Sequence, residues 1–160
     1  MPTGLRFAIV LLLLLTMARS GSAADRDTLK GLRAVDVRIE DVAPEAERDG
    51  LATSQLRTDI ESQLAQAGIQ ISEDAAESFY LNVNAHRSAP NEMRYMYNIE
   101  LRVSQPVLVI RTDAVELAGT WSRAILGTSM LAVLSDSVRG DVRQLVTTFL
   151  NDYLAVNPKP

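Results

Sequence analysis

Alternation of apolar and polar residues organises the middle of the chain. From Tyr95 to Arg111 it reads YMYNIELRVSQPVLVIR. Tyr97, Ile99, Leu101 and Val103 alternate with Asn98, Glu100, Arg102 and Ser104, a two-residue period that buries one sheet face and wets the other. The same period runs through 79–86, with Phe79, Leu81, Val83 and Ala85 inward and Tyr80, Asn82, Asn84 and His86 outward. A turn region with Pro90-Asn91 links the two as an antiparallel hairpin. An earlier strand over 33–42 sets Val35, Val37 and Ile39 against Asp36, Arg38 and Glu40. Pro106 lacks the N–H a ladder needs, which predicts a bulge or a bare edge. Beyond it, 107–110 is apolar on both faces. Thr112-Asp113 makes a turn. A fourth strand over 115–125 then places Val115, Leu117 and Trp121 inward, with Gly119 permitting a kink.

Two stretches change to the helical period. In 51–67, Leu56, Ile60, Leu64 and Ala67 share one face. Thr53 or Ser54 is expected to cap the start, and Gly68 to supply a left-handed end. In 138–156, Val138, Val142, Leu145, Phe149, Tyr153 and Val156 form a buried stripe. Ser135 to Ser137 provides capping residues before it, and Asn157-Pro158 stops it. Residues 43–50, APEAERDG, read as a polar loop. Residues 69–77 read as a connector in which Ser72 starts one short helical turn.

The order strand, helix, strand, strand, strand, helix predicts an α+β fold. We expect a two-layer sandwich: a mixed sheet of about four strands with two helices on its one dry face. The first crossover, through the helix at 51–67, should be right-handed and join parallel strands.

Composition fixes the compartment more than the chemistry. Arg6, an apolar run from Phe7 to Met17 and the small residues GSAA read as a secretory signal peptide over 1–24, followed by a single domain over 25–160. As a helix the apolar run would span about 16 Å, short of a bilayer core of about 30 Å. That favours cleavage over an uncleaved anchor. Cleavage after Ala24 removes Arg6 and Arg19 and no acidic residue, which takes the net charge from −4 to −6. The chain has no cysteine and one histidine, His86. Disulfides, thiolate metal sites and lipid attachment through an N-terminal cysteine are therefore excluded, and no metal or other cofactor is expected. The expected location is periplasmic or secreted, without lipidation and with no membrane span once the signal is removed. No basic cluster provides a footprint for nucleic acid.

The element order resembles that of small bacterial envelope domains, the LptE-like lipopolysaccharide-assembly lipoproteins and the N-terminal domains of the TolB type. The missing lipidation cysteine departs from the LptE pattern. The ending FLNDYLAVNP, with TWS upstream, is similar to a recurrent pattern among small exported bacterial proteins. The resemblance implies an envelope binding or assembly role and transfers no site residues.

Two candidate surfaces follow. Tyr80, Asn82, Asn84 and His86 would stand beside Asn98, Glu100, Arg102 and Ser104 on the outward sheet face. Asparagine is a poor strand former, so two on one strand face carry a local cost. Such a face reads either as a recognition surface or as the solvated side of an open antiparallel sheet. The apolar segment 124–134, with Leu126, Met130, Leu131 and Leu134, and the two-sided apolar 107–110 each read either as a contact for a partner or as completion of the core near Trp121. The carboxylates Asp36, Glu40, Asp41, Glu100 and Glu116 fit cross-strand charge pairing with Arg38 and Arg102 better than catalysis. His86 has no oriented partner, no G-x-S-x-G is present, and no glycine pattern cradles a phosphate. No catalytic residue is assigned. The expectation is an exported, non-enzymatic binding or assembly module that contacts an envelope protein, a lipid-related ligand or a second copy. The alternatives are a carboxylate-dependent hydrolase and a purely structural homo-oligomer.

Overall fold

A computed structural model describes residues 25–89 and 92–158. The proposed signal segment and the Pro90-Asn91 turn lie outside the described residues. The elements are β1 (Ala34–Ile39), α1 (Pro44–Arg48), α2 (Thr53–Ala67), β2 (Gln70–Ile71), β3 (Ser78–Arg87), β4 (Arg94–Val109), β5 (Ala114–Met130) and α3 (Leu134–Val156). A short 3-10 turn, Leu131–Val133, joins β5 to α3. The sheet order is β2-β1-β3-β4-β5. β1 runs parallel to β2 and β3, and the later pairs are antiparallel. The fold is thus mixed α+β with one open five-stranded sheet.

β3 and β4 form the expected antiparallel hairpin, with Leu81 opposite Leu101 and Val83 opposite Ile99. Their inward residues are all buried. Over them lie the stripes of α2 (Leu56, Ile60, Leu64) and α3 (Leu134, Val138, Val142, Leu145, Val146, Phe149, Tyr153). Phe149 meets Phe79 edge-on at 5.0 Å and Trp121 edge-on at 5.3 Å. That geometry sets the positive ring edge against the negative π face and adds to the burial itself. Trp121 donates from Nε1 to Asp152 Oδ2 at 3.0 Å. The Tyr153 hydroxyl donates to the Leu32 carbonyl at 3.2 Å. Asn157 accepts from the Gly31 N–H and donates to the Leu29 carbonyl. These bonds fasten the opening segment to the end of α3.

Several expectations are corrected. Residues 43–50 contain a helix, α1, because Pro44 at its first position needs no N–H and Glu-Ala-Glu-Arg are helix formers. α2 has Ala52 at its N-cap and no side-chain cap. Thr53 Oγ1 instead accepts the Val42 N–H at 3.3 Å. Gly68 does close α2 in the left-handed region, at φ 87°. The connector 69–77 supplies a fifth strand, β2, and a turn in which Ser72 Oγ accepts the Asp74 N–H. α3 begins at Leu134, so Ser135 to Ser137 lie inside it and cap nothing. Leu134 is fully buried in the core, and Leu131 packs partly against it.

The largest correction concerns β5. It runs on to Met130, well past Ile125. Trp121 points inward as expected, but Val115 and Leu117 are exposed. A bulge explains the switch. Val103 pairs with Trp121 and Ser104 with Gly119, leaving Thr120 as the extra residue, and the alternation of β5 reverses there. β4 continues through Pro106, where β3 has already ended at the Ser78–Ser104 pair. The bulge thus falls beside the proline, and the bare edge falls at it.

Two β5 glycines face side chains from β4. A side chain at Gly127 would overlap the Tyr97 ring, which lies across the strand so that its hydroxyl donates to Asp141 Oδ2 at 2.7 Å. Burial first, and that bond second, push the Tyr97 hydroxyl up to about 12. At Gly119 the nearest atom to an added Cβ is Arg102 Cδ, at 2.9 Å, on a flexible stem. Gly127→Ala should therefore cost about 1–3 kcal/mol. Gly119→Ala should cost less, about 0.5–1 kcal/mol, because the half-buried but flexible Arg102 stem can shift. Urea denaturation of both variants checks this, and equal losses would show that the Tyr97 ring is not wedged.

Candidate interaction surface

The outward face assembles as the alternation requires. Across β3 and β4, Tyr80 faces Arg102, Asn82 faces Glu100, Asn84 faces Asn98 and His86 faces Met96. β1 adds Arg38 beside Tyr80. The face is already occupied with its own bonds. The Tyr80 hydroxyl and Asn82 Nδ2 each donate to the Glu40 carboxylate, and Asn84 Nδ2 donates to Asn82 Oδ1. The Arg102 guanidinium lies 4.8 Å over the Tyr80 ring and 3.6 Å from Glu100. The Glu40 bond raises the Tyr80 hydroxyl above its ordinary value. The two asparagines thus complete a ladder anchored on Glu40, which offsets their poor strand propensity. Sequence reasoning placed Glu40 among cross-strand charges and did not assign it this anchoring role.

His86 sits apart from the ladder. Its Nδ1 is 3.4 Å from Glu45 Oε1 of α1. Nearby, Glu45, Arg48, Asp49 and Arg87 line a cleft of about 370 Å³. Asp49 Oδ2 accepts from the Tyr95 hydroxyl and from Arg87 Nη2, the latter at 2.6 Å. Tyr95 is fully buried. This cluster ties α1 to the β3–β4 hairpin. It was missed because Asp49 lay in a presumed loop; the Pro-Glu-Ala-Glu-Arg run was the signal for a helix that would present it. A second acidic anchor, Asp59 of α2, accepts Arg139 Nε of α3 at 2.8 Å. Among the described residues no group of His, Asp or Glu side chains is arranged to hold a metal ion.

The apolar suspects separate cleanly. Beyond Ser104 the β4–β5 hairpin continues without β3, through pairs ending at Val109 and Ala114. Leu108, Ile110, Val115 and Leu117 on this extension are between 57% and 89% exposed. Leu108 pairs with Val115 and Pro106 with Leu117, so these four share one face. Leu117 lies near the ladder, lining a shallow cleft with Tyr80, Arg102 and Ser104. The turn is closed by the Thr112 N–H donating to the Val109 carbonyl and by Asp113 at φ 51°. At the other end of the hairpin, Leu126 and Met130 on β5 join Met96 on β4 as exposed residues on the outward face. Among the described residues no helix is long and apolar enough to cross a membrane.

No protein-family model matches the chain, and no curated protein matches it. Among solved structures it is similar to PelC from Paraburkholderia phytofirmans, a dodecamer, at 14% identity over 77% of this chain and 86% of that one, TM-score 0.42. It is similar to the rare lipoprotein B of Shewanella oneidensis at 13% identity over 76% and 96%, TM-score 0.39. It is also similar to a minor lipoprotein of Acinetobacter baumannii at 10% identity over 74% and 94%, TM-score 0.34. Likeness at this level bears on neither activity nor partners.

The clamp around Asp49 has a signature in acid. The Tyr95 hydroxyl first, and Arg87 second, hold the Asp49 carboxyl below its ordinary value. A depressed carboxyl stabilises the fold above the ordinary carboxylate range and loses that contribution as pH falls through its folded value. Asp49→Asn should lower the melting temperature at neutral pH and lose less than the parent below about pH 4. Melting curves across that range check it; parallel curves would mean that the carboxylate contributes nothing.

Proposed function

We infer that this chain is an exported, non-enzymatic binding or assembly module of the bacterial cell envelope, and that it engages its partner through the β4–β5 hairpin tip. One observation carries the reading. Leu108, Val115 and Leu117, with Pro106, form an apolar patch on a hairpin that has outrun the core, and Ile110 extends it. Scattered exposed apolar residues are ordinary, but a contiguous patch on a projecting element marks an interaction site. The export signal and the envelope-domain element order read from the sequence supply the compartment.

The class of partner follows from the backbone. The tip is a two-stranded ribbon: β3 does not reach it, and β5 ends the sheet. Among the described residues no further strand pairs with either of its edges, and hydrocarbon does not tolerate bare strand edges. A protein surface can satisfy those edges while covering the apolar face. The polar ladder, whose side chains are engaged with one another, is the solvated side of the sheet in this reading. Asp49 and Asp59, two of the carboxylates that line clefts, are committed to Arg87, Tyr95 and Arg139 and serve to hold the fold.

The test is photo-crosslinking in the exporting host. A photoreactive residue is placed at Leu117, or at Asn84 on the ladder for comparison. The expected result is a discrete protein adduct from position 117 and none from 84. Replacing Leu108 and Val115 by serine should abolish the adduct while changing stability by no more than about 1 kcal/mol in all, since both are exposed. An adduct at 84 alone, or at neither position, would overturn the reading.

A further inference from the structure

We propose that the far half of β5 is a dimerisation edge, at which two copies pair their β5 strands antiparallel about a two-fold axis at Leu126. This is independent of the hairpin-tip reading: it uses the opposite end of the strand, and either can fail alone.

β5 ends the sheet, so alternate N–H and C=O groups along it point outward with no strand to receive them. Such an edge is a template for another strand unless it is blunted. The opposite edge is blunted by brevity, because β2 has only Gln70 and Ile71. β5 is not. From Ser122 to Met130 it reads SRAILGTSM, with no proline and no lysine. Its one charge, Arg123, is turned inward, 3.4 Å from Asp25 and 3.3 Å from Asp152, and lies 4.9 Å over the Trp121 ring.

The bounds of the free stretch choose the axis. Toward the tip, the opening segment lies against β5, with Thr28 Oγ1 3.3 Å from the bulged Thr120 carbonyl. The Ser122 carbonyl is taken by Arg123 Nη1 at 2.7 Å. At the other end the Met130 carbonyl accepts from Ser129 Oγ. Leu126 is midway between them. It is 80% exposed, with Met96 (54%) and Met130 (52%) on the same face.

A second copy fits this edge better than an arbitrary strand because the pairing is self-complementary. Antiparallel pairing at Leu126 places Leu126 on the partner's Leu126, Ala124 on its Thr128 and Arg123 on its Ser129. No like charges meet, and the apolar strip of each copy continues into the other. An isologous contact of this kind closes on itself and leaves no further edge of the same type. The two sheets become one continuous sheet across the axis.

The test uses protein exported with its own leader and purified from the host. The chain has no cysteine, so Leu126→Cys reports the axis without background. Residues directly opposite lie about 4.5–5.5 Å apart between Cα atoms, within disulfide reach. Mild oxidation should link Leu126→Cys into dimers, while Ala124→Cys, opposite a threonine, should link far less. Leu126→Lys puts two ammonium groups in contact across the axis. It should weaken the dimer by about tenfold or more, read by analytical ultracentrifugation, with the melting temperature of the monomer unchanged. Three results would overturn the proposal: an unmodified protein that is monomeric at every soluble concentration, a dimer that Leu126→Lys leaves intact, or equal crosslinking from positions 124 and 126.

Discussion

The contact of Phe149 with the sheet is the constraint on which the rest depends. Phe149 sits with its edge to Phe79 of β3 and to Trp121 of β5, so one helix residue reads the position of two strands that are not neighbours. Burial of three large rings fixes how far along β5 the helix can sit. The Trp121 bond to Asp152 then fixes its rotation. With α3 seated, Tyr153 and Asn157 fall where they hold the opening segment, and Asp141 falls where it receives the Tyr97 hydroxyl. Loss of that seat would release the opening segment, the Tyr97 wedge and the β5 edge together.

What could be read from the sequence was whatever depended on a regular period. β3 and the shared part of β4 alternate, and their faces and hairpin follow from that period, while the register comes from the structure. The stripes of α2 and α3 were legible for the same reason. Legibility failed where one residue broke the period. A single extra residue, Thr120, reverses the faces of β5, so Val115 and Leu117 could not be placed by counting from Trp121. The short elements α1 and β2 carry too few residues to show any period. Helix starts were misplaced because seryl and threonyl residues near a helix are equally good at turns and inside the first turn; Thr53 bonds elsewhere and Ser135 to Ser137 bond no helix end.

The outward face stands where the alternation places it, but its bonding was not legible in the sequence. All its residues stand in the expected rows. Their composition, with two asparagines on one strand face, fits either recognition or a solvated open face. Tyr80, Asn82 and Asn84 bond through Glu40 and one another: Glu40 receives two donors and Asn82 both gives and takes. Donors and acceptors that satisfy each other offer less to a ligand, since a ligand must replace bonds instead of adding them. The apolar suspects went the opposite way. Within 124–134, Leu134 enters the core and Leu131 packs partly against it, while Leu126 and Met130 remain outside.

The two surfaces that remain share one cause, which is the length of β4 and β5 against the cover available to them. The strands run for 16 and 17 residues. β3 pairs with β4 over only the near part of that length, and the helices cover only the inward face. Past Ser104 β3 no longer accompanies the pair, and among the described residues no strand flanks the outer edge of β5. Globular domains rarely keep hairpins of this length unsupported, because an uncovered apolar pair gains nothing for the fold and each bare edge invites pairing. Exposed apolar side chains at both ends of one hairpin, with the polar ladder between them, therefore argue for two separate contacts with other chains. The tip has two free edges and suits a surface that surrounds it. The β5 edge has one and suits a strand like itself.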